Sequence, residues 1–504
     1  MKMNRYLISL LISIILLSGC DGWLDLEPGN KVDDTKLFSS YEGFRVSLNG
    51  IYHSISSGQL YGREMTWGTA SVLGQDYLSG STGTSTSYQY VQAYDYSRST
   101  TKTIAENMWS TAYNAITNCN KLIQELENKE EDFFPEGIGE KNLILGEALA
   151  LRGMLHFDML RLFAPAPSTQ DNGAYIPYYT KFPSYYSAKL PTTEVLENVI
   201  LDMERGKDLV MQWDTTADNR GYLNTLARRF TTSYLYLPSI GEFFSGRVSR
   251  LNFVAINGLL ARVYLYAGRM DEAKEYASYI YNTFGPNGTN SWGSTKWFTF
   301  TPTNNIGATA AASNYIKLYN DIIFSLYDNQ LLANIENFKY SPKAYMRLNM
   351  NAFDFAKWND GDDARGKLIV MDEGNKEVSQ KWLNTGASTT ANVKCQYTSL
   401  PILRLSEIYY ILSECLYQEG NTIEAEKILN EVRNARGAKR LVAGSTLTQF
   451  KEELLWEYRK EFMTEGQTFF MYKRLNEPVI KIGSQSIDMK DKYVFPLPDN
   501  EEIF

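Results

Sequence analysis

The chain of 504 residues contains only two histidines, His53 and His156. That scarcity excludes a histidine-rich metal site and leaves a serine or cysteine triad without its usual base. Four cysteines occur, at positions 20, 119, 395 and 415, none in C-x-x-C spacing. Neither a zinc ribbon nor a thioredoxin-like redox pair is therefore readable. Basic residues do not dominate: 50 Lys and Arg face 58 Asp and Glu, for a net charge of −8. A nucleic-acid binder needs the opposite balance. Beyond the first twenty residues no apolar run approaches the roughly 20 residues of a helical membrane span. Low-complexity tracts are missing too, and a hydrophobic content of 44% rules out bulk disorder.

Catalytic motifs are equally sparse. No G-x-S-x-G or H-E-x-x-H occurs. Gly361 to Lys367 fits G-x-x-x-x-G-K, but Leu368 stands where a P-loop needs Ser or Thr, and Asp362 and Asp363 inside the loop repel phosphate. The cluster Asp360, Asp362 and Asp363 lacks the next oxygen ligand of an EF-hand, since residue 364 is Ala. With 58 acids present, a glycosidase carboxylate pair is neither excluded nor suggested. What the chain has in plenty is aromatic rings: 35 Tyr, 24 Phe and 9 Trp.

The N-terminus sets the compartment. Lys2 and Arg5 precede the eleven-residue run Leu7–Leu17, too short for a span and of the form of a secretory signal. Leu17-Ser18-Gly19-Cys20 is a lipobox, at which the cysteine thiol takes a diacylglycerol before residues 1–19 are cleaved. Several acyl chains on one residue hold a protein stably at a membrane, where one chain holds it marginally. The cleaved segment takes away two cations and no acid, so the remaining body is still more acidic and depends on the Cys20 anchor to stay at an anionic surface.

From about residue 36 the chain reads as helical. Apolar residues three and four apart predict helices over Thr101–Glu127, Glu140–Phe163 and Thr193–Trp213, the second stopped by Ala164-Pro165-Ala166-Pro167. Leu260–Ala277 and Leu412–Leu429 each place a leucine, a small residue, a turn glycine (Gly268, Gly420) and an alanine at the same offsets, a pattern similar to the tetratricopeptide helix-turn-helix. Residues 66–100 and 284–400 are rich in Gly, Ser, Thr, Asn and aromatics, and read as irregular loops or short strands on a helical scaffold. Tyr88, Tyr90, Tyr94 and Tyr96 alternate as a strand face or the apolar side of a hairpin does. Cys119 and Cys415 read as small buried thiols.

Four separated blocks, in order behind the lipobox, resemble the SusD/RagB family of outer-membrane lipoproteins from Bacteroidota. The first is Cys20-Asp21-Gly22-Trp23-Leu24-Asp25-Leu26-Glu27-Pro28. The second runs from Glu147-Ala148 through Arg152 to His156-Phe157, with Gly153 in place of the usual alanine. The third combines Pro401, Arg404, Ser406, Glu407, Tyr409 and Glu414 with Arg459-Lys460-Glu461-Phe462-Met463-Thr464-Glu465-Gly466, and the fourth is Phe495-Pro496-Leu497-Pro498. Met471 departs from the pattern, where an aspartate is usual.

The resemblance implies a mainly α, SusD-like single domain over 20–504, with four tetratricopeptide-like helix pairs and a loop-rich ligand-binding face. Within it, a helix-pair-rich part covers about 36–285, a loop-rich part about 286–400 and a C-terminal helical part about 401–504. It implies a non-enzymatic nutrient-binding subunit, without cofactor or metal, lipid-anchored in the outer membrane and facing the exterior. The implied partners are a SusC-like TonB-dependent β-barrel transporter and a glycan, or in some members a peptide; a surface glycosidase is the enzymatic alternative. Arg404, Glu407, Glu414, Arg459 and Glu465 read as buried ion-pairing groups of the scaffold. By regional analogy Trp67 with Asp76 and Tyr77, and Trp292 with Trp297, are candidate ligand contacts. An aromatic ring under the flat C–H face of a sugar, beside polar groups for its hydroxyls, is the chemistry expected there. For each ring, local packing is the competing reading, and the sequence does not choose between them.

Overall fold

Apolar residues on one face, three and four apart, build a series of long helices that bury one another. A computed structural model describes residues 34–78, 86–223, 241–289, 296–307, 315–340, 346–353, 362–372, 375–383, 396–439, 441–480 and 486–502. The helices that shape it are α1 Tyr41–Ile55, α2 Thr69–Leu73, α3 Thr86–Gln92, α4 Ser99–Glu127, α5 Gly137–Phe163, α6 Thr192–Asp214, α7 Phe253–Tyr266, α8 Met270–Thr283, α9 Leu331–Tyr340, α10 Leu405–Gln418, α11 Thr422–Ala435, α12 Leu447–Glu461 and α13 Gln467–Leu475. The three long helices read from apolar spacing are α4, α5 and α6, with ends within three residues of those expected.

α5 is the hub. Every residue from Leu143 to Phe163 is buried, charged groups included, so this stretch of the helix has no solvent face. It packs against α4, α6 and α1. Gly153, in the place usual for an alanine, has a reason: a Cβ there would lie 2.8 Å from Met203 Cγ and 3.2 Å from the Val199 carbonyl oxygen on α6.

α7 with α8, and α10 with α11, form the two hairpins expected from their leucine, glycine and alanine spacing. Their turns need glycine, since Gly268 and Gly420 take φ of 77° and 92°. Ala273, Ala277 and Ala425 are fully buried where the second helix of each hairpin approaches the first.

Among the described residues the strands come in four separate antiparallel pairs. β1 (Ala174–Pro177) and β2 (Lys189–Pro191) form a hairpin between α5 and α6. β3 (Ile322–Tyr327) pairs with β6 (Ser399–Arg404), and β4 (Ile369–Met371) with β5 (Glu377–Ser379). β7 (Val479–Ile480) and β8 (Ser486–Ile487) close the series. One expectation fails. Tyr88 and Tyr90 lie on α3, and Tyr94 is a positive-φ residue (56°) beyond it, so the alternating tyrosines do not form a strand face.

Charged groups fill part of the C-terminal core. Arg365 Nη2 lies 2.6 Å from Asp363 and 2.9 Å from Glu457, and its Nη1 lies 3.0 Å from Glu461. Arg436 holds Glu461 and Asp321, and Arg433 holds Glu457. Arg404 grips Glu465 through two bonds of 2.5 and 2.7 Å. Burial pushes the Glu457 and Glu461 carboxyls up, but the guanidinium groups outweigh it and hold both well below the carboxylate range. The P-loop look-alike thus serves packing: Asp363 and Arg365 belong to this network. Glu407 pairs with Arg262 and Glu414 with Arg474.

Candidate functional site

The chain from Trp67 to Tyr77 contains α2 and meets the loop-rich part at Asp76 and Leu78. Trp67 Nε1 donates to the Gly62 carbonyl at 2.9 Å, and Tyr77 Oη donates to the Trp67 carbonyl at 2.8 Å. The Thr464 amide donates to Asp76 Oδ2 at 3.0 Å, and Arg459 Nη1 stands 3.6 Å from Asp76 Oδ1. Burial pushes the Asp76 carboxyl up to about 6, against the pull of Arg459 and the Thr464 amide. Trp382 completes the group. Its ring lies 6.5 Å from Trp67, and its Nε1 donates to the Thr464 carbonyl at 3.0 Å.

Backbone bonds stitch this segment to distant chain. The Leu78 amide donates to Arg347 O, the Asn349 amide to Asp76 O and the Leu348 amide to Glu377 O, each at 2.8 Å.

Trp67, Asp76 and Tyr77 lie in one buried neighbourhood. Their exposures are 3%, 0% and 2%, and Trp297 is 2% exposed. Trp297 belongs to another neighbourhood, packed on Phe284 at 4.7 Å beside the end of α8. All four side chains are buried, and the polar atoms of Trp67 and Tyr77 bond backbone carbonyls. Trp292 and Cys20 lie outside the described residues, as do the signal segment and Trp358. Cys119 and Cys415 are buried, and burial pushes each thiol up to about 12, which leaves them unreactive.

A cavity of about 30 Å³ is lined by Arg161, Arg262, Tyr266, Glu407, Tyr458 and Arg474. Tyr266 Oη is buried there without a partner. The space suits a water or two and not a sugar ring.

Exposed rings occur elsewhere. In the β1–β2 connection Tyr185 and Tyr186 are 78% and 68% exposed, the most open tyrosines among the described residues. Buried side chains hold the base of this connection. Asn120 Nδ2 donates to the Tyr179 carbonyl at 3.1 Å, Arg152 Nη1 to the Thr180 carbonyl at 3.4 Å, and the Tyr179 amide to His156 Nε2 at 3.1 Å. His156 stacks on Tyr178 at 3.8 Å, and burial lowers its ring to about 3, so it stays neutral. The sequence carried a signal for this feature: two Tyr-Tyr pairs, 178–179 and 185–186, punctuated by Pro177, Pro183 and Pro191.

Residues 359–501 match the family model described as the SusD family, and residues 22–219 match a second model described as starch-binding, associating with outer membrane. The chain belongs to the SusD/RagB family. SusD-like protein P38 of Formosa agariphila is 21% identical, over 97% of this chain and 94% of that protein. SusD-like protein P2 of the same organism is 25% identical over 210 residues, which span 41% of this chain and only 38% of the relative. Among solved structures, a SusD superfamily protein from Bacteroides thetaiotaomicron superposes with a TM-score of 0.65 at 19% identity, covering 92% of this chain and 98% of that one. A SusD-like carbohydrate binding protein from Bacteroides vulgatus gives 0.64 at 17% identity, covering 92% and 96%. At these identities the structures share the fold of this SusD/RagB member. Among the described residues no helix is long and apolar enough to cross a membrane.

Proposed function

We propose that this chain is a nutrient-binding lipoprotein of the cell surface that captures oligosaccharide or polysaccharide and delivers it to a SusC-like TonB-dependent transporter in the outer membrane. The observation that carries the reading is that both ends of the chain match models of one family, one of them described as starch-binding and associating with the outer membrane. The lipobox at Cys20 supports a lipid anchor for an acidic body with no helical span among its described residues. The buried charges and aromatics described above act as scaffold, which leaves capture to exposed side chains. Of the rings first considered, Trp292 remains a candidate platform for a sugar face.

The test is calorimetry on purified residues 21–504 against a panel of polysaccharides and a peptide mixture, with a parallel assay for reducing ends. The expected result is binding of a polysaccharide with no reducing ends released, weakened in Trp292→Ala. Selective retention of peptides moves the reading to a peptide-binding subunit of the same transporter type, and turnover of the polysaccharide overturns it in favour of a glycosidase.

A further inference from the structure

We propose that the β1–β2 connection carries a second sugar-binding platform, formed by Tyr185 and Tyr186 with Tyr179 behind them, on a part of the chain separate from the loop-rich segment about 286–400. The inference rests on the glycan-capture reading above and extends it to a site that the sequence comparison did not single out.

Three observations converge. First, the rings grade from core to solvent. Tyr113 donates its hydroxyl to the Pro177 carbonyl at 3.1 Å and meets Tyr179 edge-on at 5.7 Å; Tyr179 is half-buried, and Tyr185 and Tyr186 are open. Second, the base of the connection that displays them is held in place. Asn120, Arg152 and His156, all nine-tenths or more buried, hold the backbone of residues 179 and 180, and Ser184 Oγ closes the turn onto the Lys181 carbonyl at 3.0 Å. A platform fixed before binding loses less conformational freedom when a ligand arrives. Third, polar groups flank the rings along the connection. Thr180 and Lys181 are exposed, Ser184 and Ser187 are half-open, and Lys189 donates to the Glu501 carbonyl at 2.6 Å, which brings the C-terminal segment alongside.

That composition chooses the occupant. A dry protein interface wants a contiguous apolar patch with the charges pushed to its rim. Here flat rings stand among hydroxyls and ammonium groups, which matches a pyranose: C–H bonds on its faces, hydroxyls around its edge. Single exposed tyrosines need no explanation, but an adjacent pair on a loop braced by three buried polar side chains does.

The test compares residues 21–504 with the double variants Tyr185→Ala/Tyr186→Ala and Tyr185→Phe/Tyr186→Phe. All three are titrated calorimetrically with soluble starch, xylan, laminarin and alginate. The thermal midpoint of each variant is measured alongside as the control for an intact fold. The alanine pair is expected to bind the polysaccharide that wild type retains about ten-fold more weakly or worse, a loss of about 1.4 kcal/mol. The phenylalanine pair keeps most of the affinity, because the ring face makes the contact. Alanine variants that bind within about two-fold of wild type overturn the platform and leave glycan capture standing. If wild type retains none of the four polysaccharides while binding peptides, glycan capture itself falls and the platform with it.

Discussion

A Cβ on Gly146 would lie 2.7 Å from the carbonyl oxygen of Gly206, and a Cβ on Gly206 the same distance from the carbonyl oxygen of Gly146. The two glycines face each other across α5 and α6 and let the helix backbones nearly touch. Alanine ordinarily gains about 1 kcal/mol over glycine inside a helix. At Gly146 that gain is expected to be reversed, because the obstacles are backbone oxygen and Val210 Cγ1 at 2.8 Å, which cannot swing aside. Gly146→Ala should lose about 1–3 kcal/mol by urea unfolding. Gly50→Ala, in α1 with nothing within 4 Å, is the control and should gain up to about 1 kcal/mol.

Glu465 answers two buried cations, Arg404 and Lys381. Glu465→Gln keeps the shape and removes the charge, leaving Arg404 in the core with only carbonyl partners and Asp321 at 3.7 Å. Breaking a buried pair from one side costs about 3–5 kcal/mol. The chain should therefore unfold at a markedly lower urea midpoint, with an unchanged far-ultraviolet spectrum before the transition. An unchanged midpoint would show that the pair adds nothing.

His156 makes stability depend on pH in a set direction. Its ring is lowered to about 3 in the folded chain by burial, from about 6.5 when unfolded. Between those values the unfolded chain binds the extra proton, so the contribution is intact above pH 6.5 and drains away as pH falls, by about 1.4 kcal/mol per unit. Wild type should lose more stability than His156→Gln between pH 7.5 and pH 5.5. Parallel losses would reject the assignment.

Cys20 makes the proposed attachment testable. Palmitate label should enter wild type and not Cys20→Ser, and the variant should leave the membrane fraction. Equal labelling of both would place the lipid elsewhere or remove it.

The helical scaffold was legible because apolar residues recur three and four apart along α4, α5 and α6, and because Gly268 and Gly420 mark turns that other residues enter at a cost. The rings were not legible. Trp67, Tyr77 and Trp297 sit in stretches without periodicity, where a ring turned inward and one turned outward look alike in sequence. Trp67 and Tyr77 are covered by residues hundreds of positions away, such as Trp382 beside Trp67 and Leu348 bridged to Tyr77. The tyrosines of 88–96 misled for a related reason. Spacing by two holds only while the backbone stays extended, and α3 followed by the positive φ of Tyr94 breaks that condition. Tyr185 and Tyr186 were visible as a repeated pair between prolines, and only the buried braces beneath them give that pair a meaning.

The bond that ties Asp76 to Thr464 also bears on how this molecule changes over time and in the laboratory. The two regions recognised by separate family models cannot be lifted out and grown as independent halves, because each would expose cut hydrogen-bond partners of the other. Swapping whole modules between relatives should fail where exchanging surface turns succeeds, so new appetites in this lineage have to be written residue by residue on an unbroken frame.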